Sequence, residues 1–155
     1  MNMPEHFLRM AVDLARKNAE CGGRPFGAVI VRSGSVIGTG VNQILSCADP
    51  TAHAELSAIR AACRALGSPR LNGCVVYASG QPCPMCLAAI HMTGIREVVY
   101  AYSNDDAEPY GLSSAPVYRE LALPLSEQSV RIIHYPITPA PQLYDSWRAA
   151  MVERA

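Results

Sequence analysis

Two short strings hold the side chains best suited to chemistry: Thr51-Ala52-His53-Ala54-Glu55 and Gln81-Pro82-Cys83-Pro84-Met85-Cys86. One imidazole and two thiols form a donor set for zinc, a borderline-soft ion that favours N and S ligands. Three protein ligands, His53, Cys83 and Cys86, leave the fourth tetrahedral position open, which marks a catalytic rather than a structural site. Two thiolates neutralise the ion's formal charge, so a bound water is acidified less than in an all-histidine site. A neighbouring carboxylate must then accept the proton, and Glu55 is the candidate.

Spacing says which elements must hold these groups. His53 and Glu55, two residues apart, would diverge in a helix interior, but at a helix start both can face one cavity. The polar, proline-bearing Asp49-Pro50-Thr51 is the kind of segment that begins a helix. Cys83 and Cys86, three apart, share one face of a helical turn, and Pro82 and Pro84 suit a helix start, where a missing N–H costs little. A helix N-terminus also lowers thiol pKa and so favours the metal-binding thiolate. A lone C-x-x-C could instead be a redox pair or half of a zinc knuckle. The knuckle needs a second ligand pair, which the sequence lacks, and the redox pair gives no reason for the upstream H-x-E.

The surrounding pattern supplies a scaffold. Phe7, Leu8, Met10, Ala11, Leu14 and Ala15 recur at helical spacing, which predicts a helix from Pro4 to about Asn18. Ala28–Val31 and Val36–Val41, joined at Ser33-Gly34, predict a hairpin. A loop from Asn42 to Pro50 leads to a helix over Ala52–Leu66, with Leu56, Ile59, Cys63 and Leu66 as its buried stripe and Gly67 as its stop. Val75–Ala78 reads as a strand, Cys83–Thr93 as the second metal helix closed by Gly94, and Val98–Ala101 as a further strand. Helix then strand, twice, is the βαβ rhythm of a sheet with helices on its faces, with the metal residues just after strands. Beyond it lie a polar loop (Ser103–Ser114), a short helix (Ala115–Leu121) and a final strand (Val130–His134). A linker marked by Pro136, Pro139 and Pro141 precedes a terminal helix (Gln142–Val152) around Leu143, Trp147 and Met151.

Composition narrows the class. The chain has 155 residues, enough for a single domain over 1–155 with a proper core. Half of them are hydrophobic and 17% charged, which argues against disorder. Thirteen basic residues balance 13 acidic ones and Lys17 is the sole lysine, so no positive field favours nucleic acid. No apolar run reaches membrane-spanning length and Met1–Arg9 has no signal-like apolar core, so a cytoplasmic, reducing location is expected and a disulfide scaffold is not. Of the remaining cysteines, Cys63 is expected in the core, while Cys47, in the loop before the metal helix, reads either as a loop residue or as part of a pocket.

Joined, H-x-E and P-C-x-x-C make the signature of the zinc deaminases, and the chain resembles the cytidine-deaminase-like superfamily of zinc hydrolases. Pro25-Phe26-Gly27-Ala28, Asn42, Pro50–Glu55, Ala58-Ile59 and Pro82–Cys86 are similar to its guanine deaminase and tRNA adenosine deaminase branch. The resemblance covers nearly the whole chain. It implies an α/β fold, a three-layer α/β/α sandwich around a five-stranded mixed sheet, and one Zn2+ per chain. It implies a homodimer or higher oligomer in which a C-terminal segment, about 136–155, covers the active site and can be exchanged between subunits. By the same resemblance Asn42 hydrogen-bonds the substrate ring, the Ala54 backbone meets its carbonyl edge, and Ser114 occupies a substrate-binding position. Phe26 either walls the pocket or packs the core. The branch that acts on guanine carries acids where this chain has Gln81, Ser113, Ser114 and, approximately, Gln142.

The expected function is therefore hydrolytic deamination of a free nucleobase or small nucleoside, guanine-deaminase-like but not strictly for guanine. Hydroxide generated at the zinc attacks the ring carbon and Glu55 shuttles protons to a ring nitrogen and to the departing ammonia. The expected partner is a small heterocyclic amine, with neither a membrane nor a nucleic acid. One alternative is a tRNA or polynucleotide adenosine deaminase, which the balanced charge opposes. A second is a non-catalytic zinc-stabilised binding module, which has no use for Glu55.

Overall fold

The computed structural model describes residues 3–139 and 142–154, so Pro141 of the expected linker lies outside the described residues. Residues 1–120 form one compact unit and 121–155 another. The first opens with α1 (Met3–Glu20), which buries Phe7, Ala11 and Ala15 as their spacing predicts. β1 (Gly27–Arg32) and β2 (Ser35–Val41) form the hairpin, turned by Ser33 and Gly34 at φ 49° and 77°. β3 (Cys74–Gly80) and β4 (Glu97–Tyr102) complete a sheet of order β2-β1-β3-β4. β1 runs antiparallel to both of its neighbours, and β3 and β4 are parallel, so the sheet is mixed.

Alternation along the strands makes three layers. Val29, Val31 and Tyr77 pack with Phe7 and Ala11 of α1 on one face. On the other, Ala28, Ile30, Val76 and Ala78 pack with residues of α3 (Ala54–Leu66) and α4 (Pro84–Thr93). Gly67 and Gly94 stop these two helices in the left-handed conformation, φ 61° and 85°.

The seat of α3 differs from the expected one. Its buried residues are Ala54, Glu55, Ala58, Ile59 and Ala62, while Leu56, Cys63 and Leu66 are only partly buried at the margin of the core. The reason lies in β2. A Cβ on Gly38 would stand 2.6 Å from the Ala58 carbonyl oxygen, and one on Gly40 would overlap the Ala54 carbonyl oxygen. Glycines facing alanines let the backbones approach closely, and this contact turns the alanine side of α3 toward the sheet.

The sheet has four strands among the described residues, not five. Val130–His134 is β-branched and apolar but forms no strand, and Val130, Ile132 and Ile133 are exposed. High β-propensity makes a strand only where a neighbour completes its hydrogen-bond ladder. The expected loops also contain short helices: α2 (Ile44–Cys47), α5 (Asn104–Ala107) and a 3-10 turn (Glu108–Tyr110). α6 (Ala115–Leu121) closes this region as expected. Within 121–155, α7 (Leu143–Val152) forms where expected, and Leu143, Tyr144 and Trp147 are exposed. Among the described residues no helix is long and apolar enough to cross a membrane.

Candidate active site

The residues of both strings stand at helix N-termini. His53 caps α3 and Cys83 caps α4, each with extended backbone (φ −75°, ψ 154° and φ −70°, ψ 167°). Pro84 is the first residue of α4, where its missing N–H costs nothing. The Cys83 Sγ accepts the backbone N–H of Cys86 at 3.5 Å, so the thiol itself is the helix cap. His53 Nδ1 lies 3.3 Å from Cys83 Sγ and 3.5 Å from Cys86 Sγ. All three donor atoms fall within 4.8 Å of one another. With Zn–S near 2.3 Å and Zn–N near 2.0 Å, an ideal tetrahedron has an N···S edge of about 3.5 Å. The donor set thus fits zinc in both chemistry and spacing. Glu55, in the first turn of α3, is buried, and the Cys86 thiol donates to its Oε2 at 3.4 Å.

These contacts shift the groups in consistent directions. The Cys83 thiol is brought down to about 4, first by its hydrogen bond with Cys86 and then, against its own burial, by His53. Cys86 is pushed up by that same bond and by burial. His53 is raised by its bond to Cys83. Burial raises the Glu55 carboxyl, partly offset by hydrogen bonds from its own backbone N–H and from Cys86. One thiol is thus a ready thiolate, and the proton on the other is the one a divalent cation must displace.

A cavity of about 340 Å3 opens over this cluster. His53, Glu55 and Cys83 line it together with Phe26, Asn42, Gln81 and Ser114. Phe26 lines the cavity and packs against the core. Asn42 is 5% exposed, and its side-chain oxygen accepts the Ile44 N–H at 3.2 Å. Ala54 is buried and does not line the cavity, although its neighbours on both sides do. Cys47 is exposed and away from it, and Cys63 packs at the core margin.

Residues 1–102 match the family profile described as the cytidine and deoxycytidylate deaminase zinc-binding region. The chain belongs to this family. It is 41% identical to the guanine deaminase of Bacillus subtilis over 145 residues, 93% of each chain. The crystal structure of a B. subtilis guanine deaminase superposes with a TM-score of 0.88 at 41% identity, covering 96% of this chain and 95% of that one. A tRNA-specific adenosine deaminase of Aquifex aeolicus is 37% identical over 139 residues, 90% of this chain and 89% of that one. The guanine deaminase structure from Nitrosomonas europaea aligns at a TM-score of 0.69 and 31% identity, over 73% of this chain and 66% of that one. The protein is thus a zinc-dependent hydrolytic deaminase with the superfamily's fold.

Several lining residues escape a sequence reading. Arg24 reaches the cavity, and its one signal was adjacency to Pro25-Phe26. Leu112 comes from the polar stretch before α6, beside Gly111 and the already noted Ser113, and Val117 from α6 itself. Tyr118 of α6 donates its hydroxyl to the Pro82 carbonyl and so ties that helix to the cysteine loop. No spacing rule announces that contact. Tyr110 and Glu108 stand outside this cavity.

Proposed function

We propose that this deaminase acts on a free nucleobase or small nucleoside, and that the substrate range is not confined to guanine. The observation that carries the reading is a single buried carboxyl, Glu55, beside the three metal-competent side chains in a cavity of about 340 Å3. That volume lies at the low end of the roughly 300–1,000 Å3 of small-molecule pockets, suited to one heterocycle. The likeness to guanine deaminases along almost the whole chain supports it.

In this reading His53, Cys83 and Cys86 hold zinc, which when bound supplies a nucleophile at neutral pH by acidifying water. Glu55 accepts the proton of the attacking water and delivers it to a ring nitrogen of the substrate, then takes the proton of the newly added hydroxyl and passes it to the departing amine. Burial beside the metal site keeps that carboxyl from bulk water, and its raised pKa suits a group that must both take and give a proton. Asn42 holds the ring edge, Phe26 packs on it, and Ser114 and the backbone at Ala54 complete the subsite. Residues 136–155 serve as the covering segment of a homodimer, in a cytoplasmic enzyme.

The likeness to the Aquifex tRNA-specific adenosine deaminase favours a second reading, deamination within tRNA. The net charge of zero opposes it, because polyanion binding draws on clustered basic residues. Ammonia release from a panel of bases, nucleosides and tRNA separates the two. Turnover of a base or nucleoside without salt-sensitive RNA binding is expected, and turnover of tRNA alone overturns the proposal.

A further inference from the structure

The hydrogen-bond network fixes which atoms the cavity wall presents. Gln81 Oε1 accepts the backbone N–H of Asn104 at 3.0 Å, so its amide NH2 is the end left for a ligand. Asn42 is turned the same way by the Ile44 N–H on its oxygen. Ser113 Oγ accepts the Ala115 N–H at 3.2 Å, which leaves its O–H to donate. Arg24 adds a guanidinium that has no ion-pair partner among the described residues. Ser114 is turned the other way: its own proton goes to Asn104 Oδ1 at 3.1 Å, which leaves its Oγ to accept. Among the described lining residues, the only carboxylic acid is Glu55, at the metal end.

With its oxygen turned to a backbone N–H, each of Gln81, Asn42 and Ser113 presents its free N–H or O–H to a ligand, and that end recognises an acceptor. A ligand that brings N–H groups to such a wall sets donors against donors, which costs most at buried Asn42. We propose that Arg24 and Gln81, together with Asn42 and Ser113, select aminated heterocycles whose edge away from the reacting amine is rich in carbonyl oxygens or negatively charged. The inference rests on the proposed action on free bases and names the substrate class within it.

The test is calorimetric binding of two purines of one shape, xanthine with two oxo groups and 2,6-diaminopurine with two amino groups. The host is the zinc-loaded full chain carrying Glu55→Gln, so that turnover does not intrude. Xanthine is expected to bind about tenfold more tightly, the difference of roughly one charge-assisted hydrogen bond. Arg24→Ala should weaken xanthine about tenfold and leave diaminopurine within about twofold, and Gln81→Glu should reverse the preference. Equal binding, a preference for diaminopurine, or equal weakening of both ligands by Arg24→Ala overturns the inference. If xanthine is preferred as stated but the wild type deaminates no free base, the functional proposal fails and this one stands. Should the wild type deaminate bases while the host shows no preference, this inference alone fails.

Discussion

Replacing Glu55 with glutamine should separate chemistry from architecture. Glutamine fills the same volume and keeps a hydrogen-bonding oxygen near the Cys86 thiol, which approaches Oε2 at 3.4 Å. It cannot carry a proton between water, ring and amine. Among the described residues lining the cavity, no other carboxyl can take over, since the remaining polar side chains there are Arg24, Asn42, His53, Gln81, Cys83, Ser113 and Ser114. Two of these, His53 and Cys83, belong to the metal cluster. General acid–base groups typically contribute about 10²–10⁴-fold. A group serving every proton transfer belongs at the upper end, so kcat should fall about 10⁴-fold, equivalent to about 5.5 kcal/mol of barrier. The substitution also removes a carboxyl whose ionised form is penalised by burial, so stability should not fall. Ammonia release under saturating substrate, zinc content by elemental analysis and thermal unfolding test the three parts together. Turnover within tenfold of wild type, with zinc retained, would refute the role given to Glu55.

Four further outcomes are expected. Cys83→Ser or Cys86→Ser should lose zinc and thermal stability together, because metal binding is coupled to folding; stoichiometric zinc in both variants contradicts the ligand set. Zinc uptake by the wild type should release the Cys86 proton and, towards neutral pH, a second from His53, whose pKa is raised, while Cys83, a thiolate above about 4, releases none. Calorimetry across a pH series in buffers of different ionisation enthalpy reads that number, and release that stays at two at the alkaline end means that both thiols start protonated. Gly40→Ala should cost roughly 1–3 kcal/mol or more in denaturant unfolding, because the new methyl overlaps the α3 backbone at Ala54; an unchanged midpoint would show that α3 can shift freely. Ser114→Asp should raise kcat/KM for guanine relative to other bases by supplying an acceptor for its N–H groups, and a fixed ratio would place the discrimination elsewhere.

The metal strings were legible because metal chemistry restricts residue types as well as spacing. His53, Cys83 and Cys86 can be named without coordinates, and the coordinates bring their donor atoms within 4.8 Å. Apart from the short α2, the order of helices and strands up to Tyr102 was legible from periodicity, because one face of each element must be apolar. The face of α3 was not. Of the expected stripe Leu56, Ile59, Cys63 and Leu66 only Ile59 is buried, because backbone proximity to Gly38 and Gly40 favours the alanines, and pairing across elements leaves no local trace. Val130–His134 failed for a different reason, since a strand depends on a neighbouring edge that its own residues do not encode. The wall polarity is equally nonlocal. Nothing in the string around Gln81 says that Asn104 will occupy its oxygen.

Asn104 shows how selectivity can change while the reaction is kept. Its backbone N–H turns Gln81, and its side-chain oxygen takes both the N–H and the O–H of Ser114, at 3.0 and 3.1 Å. It sits at the first position of α5, held by the capping box of Ser103 and Asp106. The metal cluster, by contrast, hangs on α3 and α4, and the glycine–alanine contact with β2 fixes the first of these. Two separate supports therefore hold the two halves of the site. A change in the stretch from Ser103 to Ser114 can rotate amide and hydroxyl groups on the cavity wall without moving His53, Glu55, Cys83 or Cys86. The same metal chemistry can then serve a donor-reading wall in one relative and an acceptor-reading wall in another, which is why a likeness carried by the metal strings names the reaction and leaves the substrate to the wall.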